Sequence, residues 1–345
     1  MKKSHLFYTA LLIFLIITIE ILIRLTGMML TDSEKLYGKY ISPYKITTND
    51  NLMLLSKNDT IYNQNVEFDY SYISNDIGLI DNHQINDYDS DSTFAIIGDS
   101  FVAGIGAPQD SSMPRLLEYK LNENKFSYKI INAGVPASHP YYESNLARYL
   151  CENYTVKNII LCINISDYYD YITNSLLYKN EQNQSTFEKS FEFIYSRSHL
   201  TRLITHGILK RDFTLKSTEK IISEKENAVK DFCEIICKLN DEISQKKGKL
   251  LVIFHPYPKN FIKNKSNLQN EIFNYEYHLK LINKLKKRSI NYIDLYRCME
   301  RIFNQNSIEN YYWSMDGHFS SNGYDIYSSC LHQSPTFLKF ISTNE

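Results

Sequence analysis

The sequence has little glycine, no excess of basic charge and only one long apolar run. Glycine accounts for 11 of 345 residues, which excludes collagen-like repeats and glycine-rich linkers. The 38 lysine and arginine residues face 39 aspartate and glutamate residues, so the chain lacks the basic excess typical of nucleic-acid-binding proteins. There is no internal repeat and no proline- or serine-rich linker. Apolar residues at 43% indicate a folded chain that can bury a sizeable core.

The cysteines do not form a metal-binding pattern, because none of them belongs to a Cys-x-x-Cys pair. Cys233 and Cys237 are four residues apart on a predicted helix, which supplies too few ligands for a zinc site. We interpret the cysteines as small buried apolar side chains, with an occasional disulfide as the alternative if the domain lies outside the cytosol. The six are Cys151, Cys162, Cys233, Cys237, Cys298 and Cys330.

The one long apolar run lies at the N-terminus. Lys2 and Lys3 precede a run from Leu6 to Ile23 that only Glu20 interrupts. As a helix this run is about 27 Å long, nearly the thickness of a hydrocarbon core. Neither a small-residue cleavage pattern nor a cysteine follows it. We therefore predict an uncleaved signal anchor, with the lysines in the cytoplasm and the chain after about residue 26 outside (periplasmic or at the cell surface).

Two alternatives to the anchor remain open: a cleaved signal peptide and a buried helix of a soluble protein. If the run spans a membrane, we expect Glu20 near the outer interface, where a carboxylate costs less than at the centre of the bilayer.

After residue 92, short apolar runs alternate with amphipathic helical patterns. This alternation predicts an α/β fold, a three-layer α/β/α sandwich around a five-stranded, mainly parallel sheet. The predicted strands are Phe94–Ile97, Lys129–Ile131, Asn158–Ile165, Leu250–Phe254 and Ile290–Leu295. We divide the chain into residues 1–25 (cytoplasmic tip and membrane anchor), 26–91 (extracytoplasmic lead-in), 92–335 (α/β domain) and 336–345 (C-terminal tail).

Polar residues follow three of the predicted strands at their carboxyl ends, where sites lie in parallel α/β sheets. Ser100 follows the first strand, and capping the next helix is its alternative role. Gly134 ends the second strand and permits close approach of a ligand or another backbone, or simply a turn. Asn164 and Ser166 end the third strand two residues apart, so we expect both on one face.

A fourth candidate segment lies near the C-terminus, where Asp316 precedes His318 by two residues. An aspartate in this place can orient an imidazole, and the imidazole can accept the proton of a serine. For this segment alone, a surface histidine beside a capping aspartate is the simpler interpretation. The four segments are much less expected to occur together by chance than any one of them alone.

Together these segments resemble the four blocks of the SGNH, or GDSL-type, hydrolase superfamily, which supply a Ser, a Gly, an Asn and a His. Gly98-Asp99-Ser100 matches the first block, Gly134 the second, and Asp316 with His318 the last. The resemblance covers about residues 66–335, and it implies the flavodoxin-like fold of that superfamily. The preceding stretch SYISNDIGL is similar to the lead-in of membrane-anchored members.

The chain departs from the common pattern at two places. Ser166 stands where the third block usually has its asparagine, as in a Ser-Asp variant among anchored members linked to cell-surface polysaccharides. The Asp-x-His spacing of Asp316 and His318 replaces the commoner Asp-x-x-His and resembles that of alginate-type O-acetyltransferases.

The resemblance implies acyl transfer without a metal or nucleotide cofactor. Ser100 would attack an ester carbonyl, His318 would act as general base, and Asp316 would orient the imidazole. The oxyanion would be held by the backbone N–H groups of Ser100 and Gly134, together with Ser166 or Asn164.

We therefore predict an extracytoplasmic serine esterase that removes O-acyl groups, with a cell-surface glycan as the predicted substrate. An O-acetyltransferase that modifies an exported polysaccharide is the first alternative. A non-catalytic glycan-binding or assembly protein of the same fold is the second. The predicted partners are an acylated glycan or another small ester and, through the N-terminal helix, a membrane, but no nucleic acid. Tyr168, Tyr169 and Tyr171 could face sugar rings or pack in the core.

Overall fold

The computed structural model describes residues 3–38, 52, 54–87, 93–123, 128–154, 156–173, 186–211, 213–257, 260–261, 274–304 and 307–342. The chain forms two compact units. The first consists of Met1–Tyr44 and Leu176–Ile221, and the second of Lys45–Ser175 and Ile222–Glu345.

The described residues contain the following helices and strands. The helices are α1 (Lys3–Leu25), α2 (Asp32–Tyr37), α3 (Ser100–Ala103), α4 (Met113–Asn122), α5 (Pro140–Asn153), α6 (Asp167–Thr173), α7 (Thr186–Tyr195), α8 (His199–Arg202), α9 (Thr218–Gln245), α10 (Glu276–Lys287), α11 (Tyr296–Phe303), α12 (Ser321–His332) and α13 (Pro335–Ser342). The strands are β1 (Thr60–Gln64), β2 (Asp69–Ile73), β3 (Thr93–Gly98), β4 (Lys129–Gly134), β5 (Asn158–Asn164), β6 (Lys249–His255) and β7 (Tyr292–Asp294).

The N-terminal apolar run forms α1. Residues His5–Leu25 are long enough and apolar enough to cross a membrane, and most of their side chains are exposed. A signal sequence near an N-terminus has the same length and composition. The helix therefore has the form of a membrane anchor or signal sequence, and its orientation stays a prediction.

The large sheet of the second unit has five strands in the order β4-β3-β5-β6-β7, and every neighbouring pair is parallel. This confirms the predicted α/β fold with its five-stranded sheet. The register pairs Gly98 with Gly134 and Asn164 with His255. The carboxyl ends of four strands thus reach the same edge of the sheet.

The central strands are buried on both faces, which explains why they are apolar almost throughout. Side chains two residues apart point to the same face, and one face packs against α4, α11, α12 and α13. The sheet residues of that face are Phe94, Ile96, Ile160, Cys162, Leu251 and Ile253. The alternate residues, such as Ile97, Leu161 and Val252, are equally buried on the opposite face.

A small antiparallel hairpin of β1 and β2 precedes the large sheet in the second unit. Its turn holds Asn65 and Glu67, and Asn65 Oδ1 accepts hydrogen bonds from the N–H groups of Glu67 (2.8 Å) and Phe68 (2.9 Å). This local capping makes the turn a rigid support for the side chain of Glu67.

Two cysteines form a disulfide. Cys298 on α11 and Cys330 on α12 are bonded, 32 residues apart in sequence. For this pair the alternative of a disulfide holds in place of the first interpretation as small apolar side chains, because the two helices pack side by side and bring their Cα atoms to 6.0 Å. The other four cysteines are free. The disulfide brackets the segment that contains Asp316 and His318.

Candidate active site

Ser100 lies where the strand order of the large sheet reverses. β4 and β5 flank β3 on opposite sides, and ligands of α/β proteins bind beyond the carboxyl end of such a strand. Ser100 directly follows this strand end as the first residue of α3. The side chain of Asp99 caps the helix by accepting a 2.9 Å hydrogen bond from the N–H of Phe101. Capping is thus performed by Asp99, and the hydroxyl of Ser100 points elsewhere.

The hydroxyl of Ser100 meets the imidazole of His318. The distance from Oγ to Nε2 is 2.7 Å, although the residues are 218 positions apart. The other ring nitrogen, Nδ1, is hydrogen-bonded to Oδ1 of Asp316. The side chain of His318 is 22% exposed and that of Asp316 is 5% exposed. A substrate can therefore reach the imidazole, while the carboxylate behind it is shielded.

Asp316 and His318 stabilise each other's charged forms. Burial by itself lowers the pKa of His318, but the charge and hydrogen bond of Asp316 raise this pKa above its usual value. Burial likewise opposes ionisation of Asp316, yet its interactions with His318 leave the pKa of that carboxyl below its usual value. The pair thus favours the imidazolium that forms when His318 accepts a proton.

The loop that carries Asp316 is held by Glu67 of the β1–β2 turn. The carboxylate of Glu67 accepts hydrogen bonds from the N–H groups of Asp316 (2.7 Å) and Met315 (3.0 Å) and from the hydroxyl of Ser314 (2.9 Å). Asn65 Nδ2 lies 3.4 Å from Oδ2 of Asp316. Neither Glu67 nor Asn65 could be identified from the sequence, since nothing in a polar hairpin turn indicates which distant loop it contacts.

Gly317 allows the sharp turn between Asp316 and His318. Its φ of +86° is in the left-handed region, which side-chain-bearing residues rarely adopt. A Cβ atom there would also lie 2.9 Å from the hydroxyl of Tyr257. Glycine at this position therefore lets Asp316 and His318 face each other across a two-residue spacing.

Gly134 packs against α3. A Cβ atom on it would lie 2.0 Å from the backbone nitrogen of Ala103, so only glycine fits at this point. Its N–H donates to Oδ1 of Asn132 at 3.1 Å. This amide is engaged within the chain, so the structure does not present it as an open oxyanion donor. The close approach that the sequence predicted is made by the backbone of α3.

Asn164 organises the end of β5. Its Oδ1 accepts from both the N–H and the hydroxyl of Ser166, each at 2.9 Å, and its Nδ2 lies 3.1 Å from Nδ1 of His255 on β6. Asn164 is fully buried, whereas Ser166 is partly exposed. The two side chains therefore contact each other, and Ser166 is the one with access to solvent.

His255 is a core histidine at the end of β6. It is fully buried and packs against the rings of Phe101 and Tyr327, with centroids 5.3 and 4.9 Å away. Burial lowers its pKa to about 3, so the ring is neutral and its Nδ1 can accept from the amide of Asn164. The residue follows the fourth predicted strand, which was the only signal for it in the sequence.

Three carboxyl groups are buried near the ends of β3 and β5. Burial raises the pKa of Asp99 to about 6 and raises the pKa of Glu143 and of Asp167 well above the usual value. Oε1 of Glu143 accepts a 2.8 Å hydrogen bond from the hydroxyl of Ser138. Burial thus favours the neutral form of each of these carboxyl groups over the ionised form.

The tyrosines after β5 contribute mainly to packing. Tyr168 is fully buried, with ring centroids of Phe232 and Tyr277 at 5.0 and 5.8 Å. Tyr171 is partly exposed, packs against Phe232 and donates a 3.0 Å hydrogen bond to Asp231. Tyr169 is also partly exposed. Of the three, Tyr168 has no surface for a sugar ring. Within the described ranges, no group of three or more His, Cys, Asp or Glu side chains is placed to hold a metal ion.

Comparison with known proteins gives matches among solved structures. No family model and no curated protein matches the sequence. A member of the lipolytic G-D-S-L family from Veillonella parvula is 12% identical, with 71% of this chain and 98% of that chain covered and a TM-score of 0.42. A catalytic mutant of an acetylxylan esterase from Geobacillus stearothermophilus is 11% identical, with 74% and 96% covered and a TM-score of 0.43.

A lipase from a goat rumen metagenome is 15% identical, with 69% of this chain and 95% of that chain covered and a TM-score of 0.43. These three solved structures are a G-D-S-L lipolytic protein, an acetylxylan esterase and a lipase.

Proposed function

We propose that this chain is a serine-dependent hydrolase of acyl esters, anchored by α1 with its α/β unit outside the cytoplasm. The observation that carries the proposal is the continuous hydrogen-bonded line from Ser100 through His318 to Asp316. A serine beside an imidazole whose other nitrogen is held by a buried carboxylate has the arrangement of an activated nucleophile.

In the proposed reaction, Oγ of Ser100 bonds to the ester carbonyl carbon while Nε2 of His318 takes the hydroxyl proton. The tetrahedral intermediate collapses, the bond to the leaving oxygen breaks, and His318 returns the proton to that oxygen as the alcohol departs. Water or a sugar hydroxyl then gives its proton to His318 and attacks the carbonyl carbon of the acyl-serine. The bond from that carbon to Oγ of Ser100 breaks, His318 returns the proton to Oγ, and the acid or the acylated sugar departs. Asp316 keeps Nδ1 protonated throughout.

Two donors in this site are suited to the oxyanion. The N–H of Ser100 is the first amide of α3, where a helix supplies no backbone acceptor. The hydroxyl of Ser166 is partly exposed and can rotate away from Asn164, whose Oδ1 would keep the bond from the N–H of Ser166. Both are preferred over Gly134, whose N–H is already bonded.

The extracytoplasmic location is supported by two features. α1 is apolar along 21 residues and follows two lysines in the sequence, as in a single-pass anchor with its N-terminus inside. The Cys298–Cys330 disulfide is of a kind that persists in oxidising compartments and is rare in the cytosol. An O-acyl glycan as substrate is suggested by the resemblance to anchored members linked to surface polysaccharides.

The test is acyl release by the full-length protein in detergent, with p-nitrophenyl acetate and an O-acetylated glycan as donors. We expect turnover that Ser100→Ala abolishes and that the control Ser307→Ala, at an exposed serine, leaves unchanged. Acetate in solution indicates water as the acceptor, and acetylated acceptor glycan indicates transfer. If wild type and Ser100→Ala are equally inactive on every donor while both bind glycan, the chain is a binding protein and the proposal is wrong.

A further inference from the structure

Glu20, the one charged residue inside the apolar run, contacts a distant segment of the first unit. Its carboxylate accepts hydrogen bonds from the N–H groups of His199 (3.0 Å) and Leu200 (2.8 Å) and from the hydroxyl of Ser198 (3.0 Å). Arg24 donates to the same carboxylate at 2.6 Å. The beginning of α8 is therefore attached to α1 at the level of Glu20.

The position of Glu20 along α1 sets the depth of that attachment. His5–Leu25 has 21 residues, about 32 Å of helix, which matches a hydrocarbon core of about 30 Å. Glu20 is five residues before Leu25, hence about 7.5 Å inside that end of the helix. If α1 spans a membrane, the beginning of α8 therefore lies at the same depth as Glu20, inside the leaflet that contains the C-terminal end of α1.

The segment attached there, residues 186–209, has an apolar surface. It carries large apolar side chains that are half or more exposed, although it contacts α1 through polar groups. These are Phe187 (67%), Phe193 (60%), Ile194 (50%), Ile208 (69%) and Leu209 (54%). The end of α1 adds Leu25 at 79% and Met28 at 49%. Exposing this many large apolar side chains to water costs free energy, whereas their contact with lipid acyl chains is favourable.

The backbone of this segment also fits a lipid environment. Helix termini have unpaired N–H groups, and a bilayer offers no water to satisfy them. Glu20 accepts from two of those groups in α8, and Ser198 Oγ accepts from a third, the N–H of Thr201, at 3.1 Å. The guanidinium carbon of Arg197 lies 4.0 Å from the ring centroid of Phe193, as expected of a cation that reaches from an apolar surface to the headgroups.

We propose that residues 186–209 are a second membrane element. In it α7, α8 and the π-helix Leu203–Ile208 lie beside the C-terminal end of α1, and their apolar side chains contact lipid. The proposal rests on the membrane anchoring by α1 proposed above. In this proposal, the hydrogen bonds to Glu20 hold the second membrane element at a fixed depth in the membrane.

The test uses tryptophan fluorescence of the full-length protein in phosphatidylcholine vesicles. Trp313 is the only tryptophan, so the wild-type protein supplies the baseline for each added one. The variants are Phe193→Trp, Leu22→Trp in α1 as the control for anchoring, and Tyr62→Trp on β1 as the control for an exposed aromatic. Lipids brominated along their acyl chains report contact with the bilayer, and iodide reports contact with water.

We expect brominated lipid to quench Phe193→Trp and Leu22→Trp, and iodide to quench Tyr62→Trp. Combining Phe193→Trp with Glu20→Ala should reduce its quenching by lipid, because α8 loses its acceptor on α1, while Leu22→Trp with Glu20→Ala stays quenched. Circular dichroism verifies that each variant is folded. Ester turnover is measured in parallel, so that failure of the proposed chemistry leaves the fluorescence result standing.

Four outcomes overturn the proposal. Quenching of Phe193→Trp by iodide and not by lipid, with Leu22→Trp quenched by lipid, places the segment in water. Protection of Phe193→Trp from both quenchers indicates that protein, such as a second copy of the chain, covers the surface. Absence of lipid quenching for Leu22→Trp removes the anchoring on which the proposal rests. Equal lipid quenching of Tyr62→Trp would indicate unspecific adsorption and would also overturn it.

Discussion

The two sides of the candidate site are built in different ways. Ser100 follows a strand of the sheet, and its surroundings are buried and connected by contacts between neighbouring strand ends, as between Asn164 and His255. Asp316 and His318 lie on a loop, whose shape depends on Glu67 almost 250 residues earlier. Ser100 is thus positioned by the sheet, and the loop with Asp316 and His318 is positioned by side chains from a hairpin.

This difference predicts how substitutions act. Changes to fully buried side chains on the sheet side, such as Asn164, remove bonds inside a packed core and lower stability. Changes on the loop side move the imidazole relative to a serine that stays in place, so they lower the rate with little effect on stability.

The largest effect is expected where the two sides meet. Ser100→Ala and His318→Ala should each lower kcat by about 10⁶-fold, because neither residue acts without the other. The double variant should lose no more than either single variant, and melting temperatures should stay close to wild type. If the losses of kcat in the two single variants multiplied in the double variant, the two residues would act separately.

Asp316→Asn should lower kcat by about 10⁴-fold, since an amide no longer stabilises the imidazolium or the required tautomer. In wild type, kcat/KM should rise with pH through a midpoint above about 6.5, because Asp316 raises the pKa of His318 and only the neutral imidazole accepts a proton. In Asp316→Asn this midpoint should move to lower pH. An unchanged pH profile would mean that Asp316 does not act through His318.

Substitutions of Ser166 and Asn164 distinguish a catalytic from a structural role on the sheet side of the site. Ser166→Ala should lower kcat by roughly 10²–10³-fold without changing stability, because it removes one oxyanion donor. Asn164→Ala should lower the free energy of unfolding by about 1–3 kcal/mol for each buried partner left unsatisfied. Urea unfolding and steady-state kinetics of both variants measure the difference. Wild-type rates for Ser166→Ala would leave the oxyanion to backbone amides.

Glu67→Ala should lower kcat by about 10²-fold with little change in KM or melting temperature, because the loop with Asp316 loses three hydrogen bonds and shifts. Glu67→Gln should retain part of the rate, since its amide oxygen can still accept. The matched control is Glu300→Gln, at a surface ion pair with Arg297. If Glu67→Ala has the kinetics and pH profile of wild type, the hairpin does not position the acid.

The smallest effect on turnover is expected for the double variant Cys298→Ala/Cys330→Ala. The disulfide closes a loop across 32 positions, and its removal should lower the free energy of unfolding by about 3–4 kcal/mol in the loop-entropy model. At temperatures where the variant is folded, kcat should be near wild type, because Glu67 still holds the loop. A large loss of kcat in the folded variant would assign the positioning of His318 to the disulfide instead.

Much of the sheet could be predicted from local pattern. The predicted strands at residues 94–97, 129–131 and 250–254 lie within β3, β4 and β6. The spacing of apolar residues depends on which side chains are buried, so it predicts the strands. The order of the parallel strands then brings Ser100 and Asn164 to one edge of the sheet.

The amino-acid sequence by itself determined the elements, the apolar N-terminal helix and the polar residues at the strand ends, because each of these depends on neighbours close in the chain. Only the tertiary structure decided that Glu67 holds the loop of Asp316, that Cys298 pairs with Cys330, and that Glu20 fastens α8. Only the tertiary structure also decided that the N–H of Gly134 donates to the side chain of Asn132. These are single contacts between side chains or turns, and a single contact between distant residues leaves no periodic pattern in a sequence.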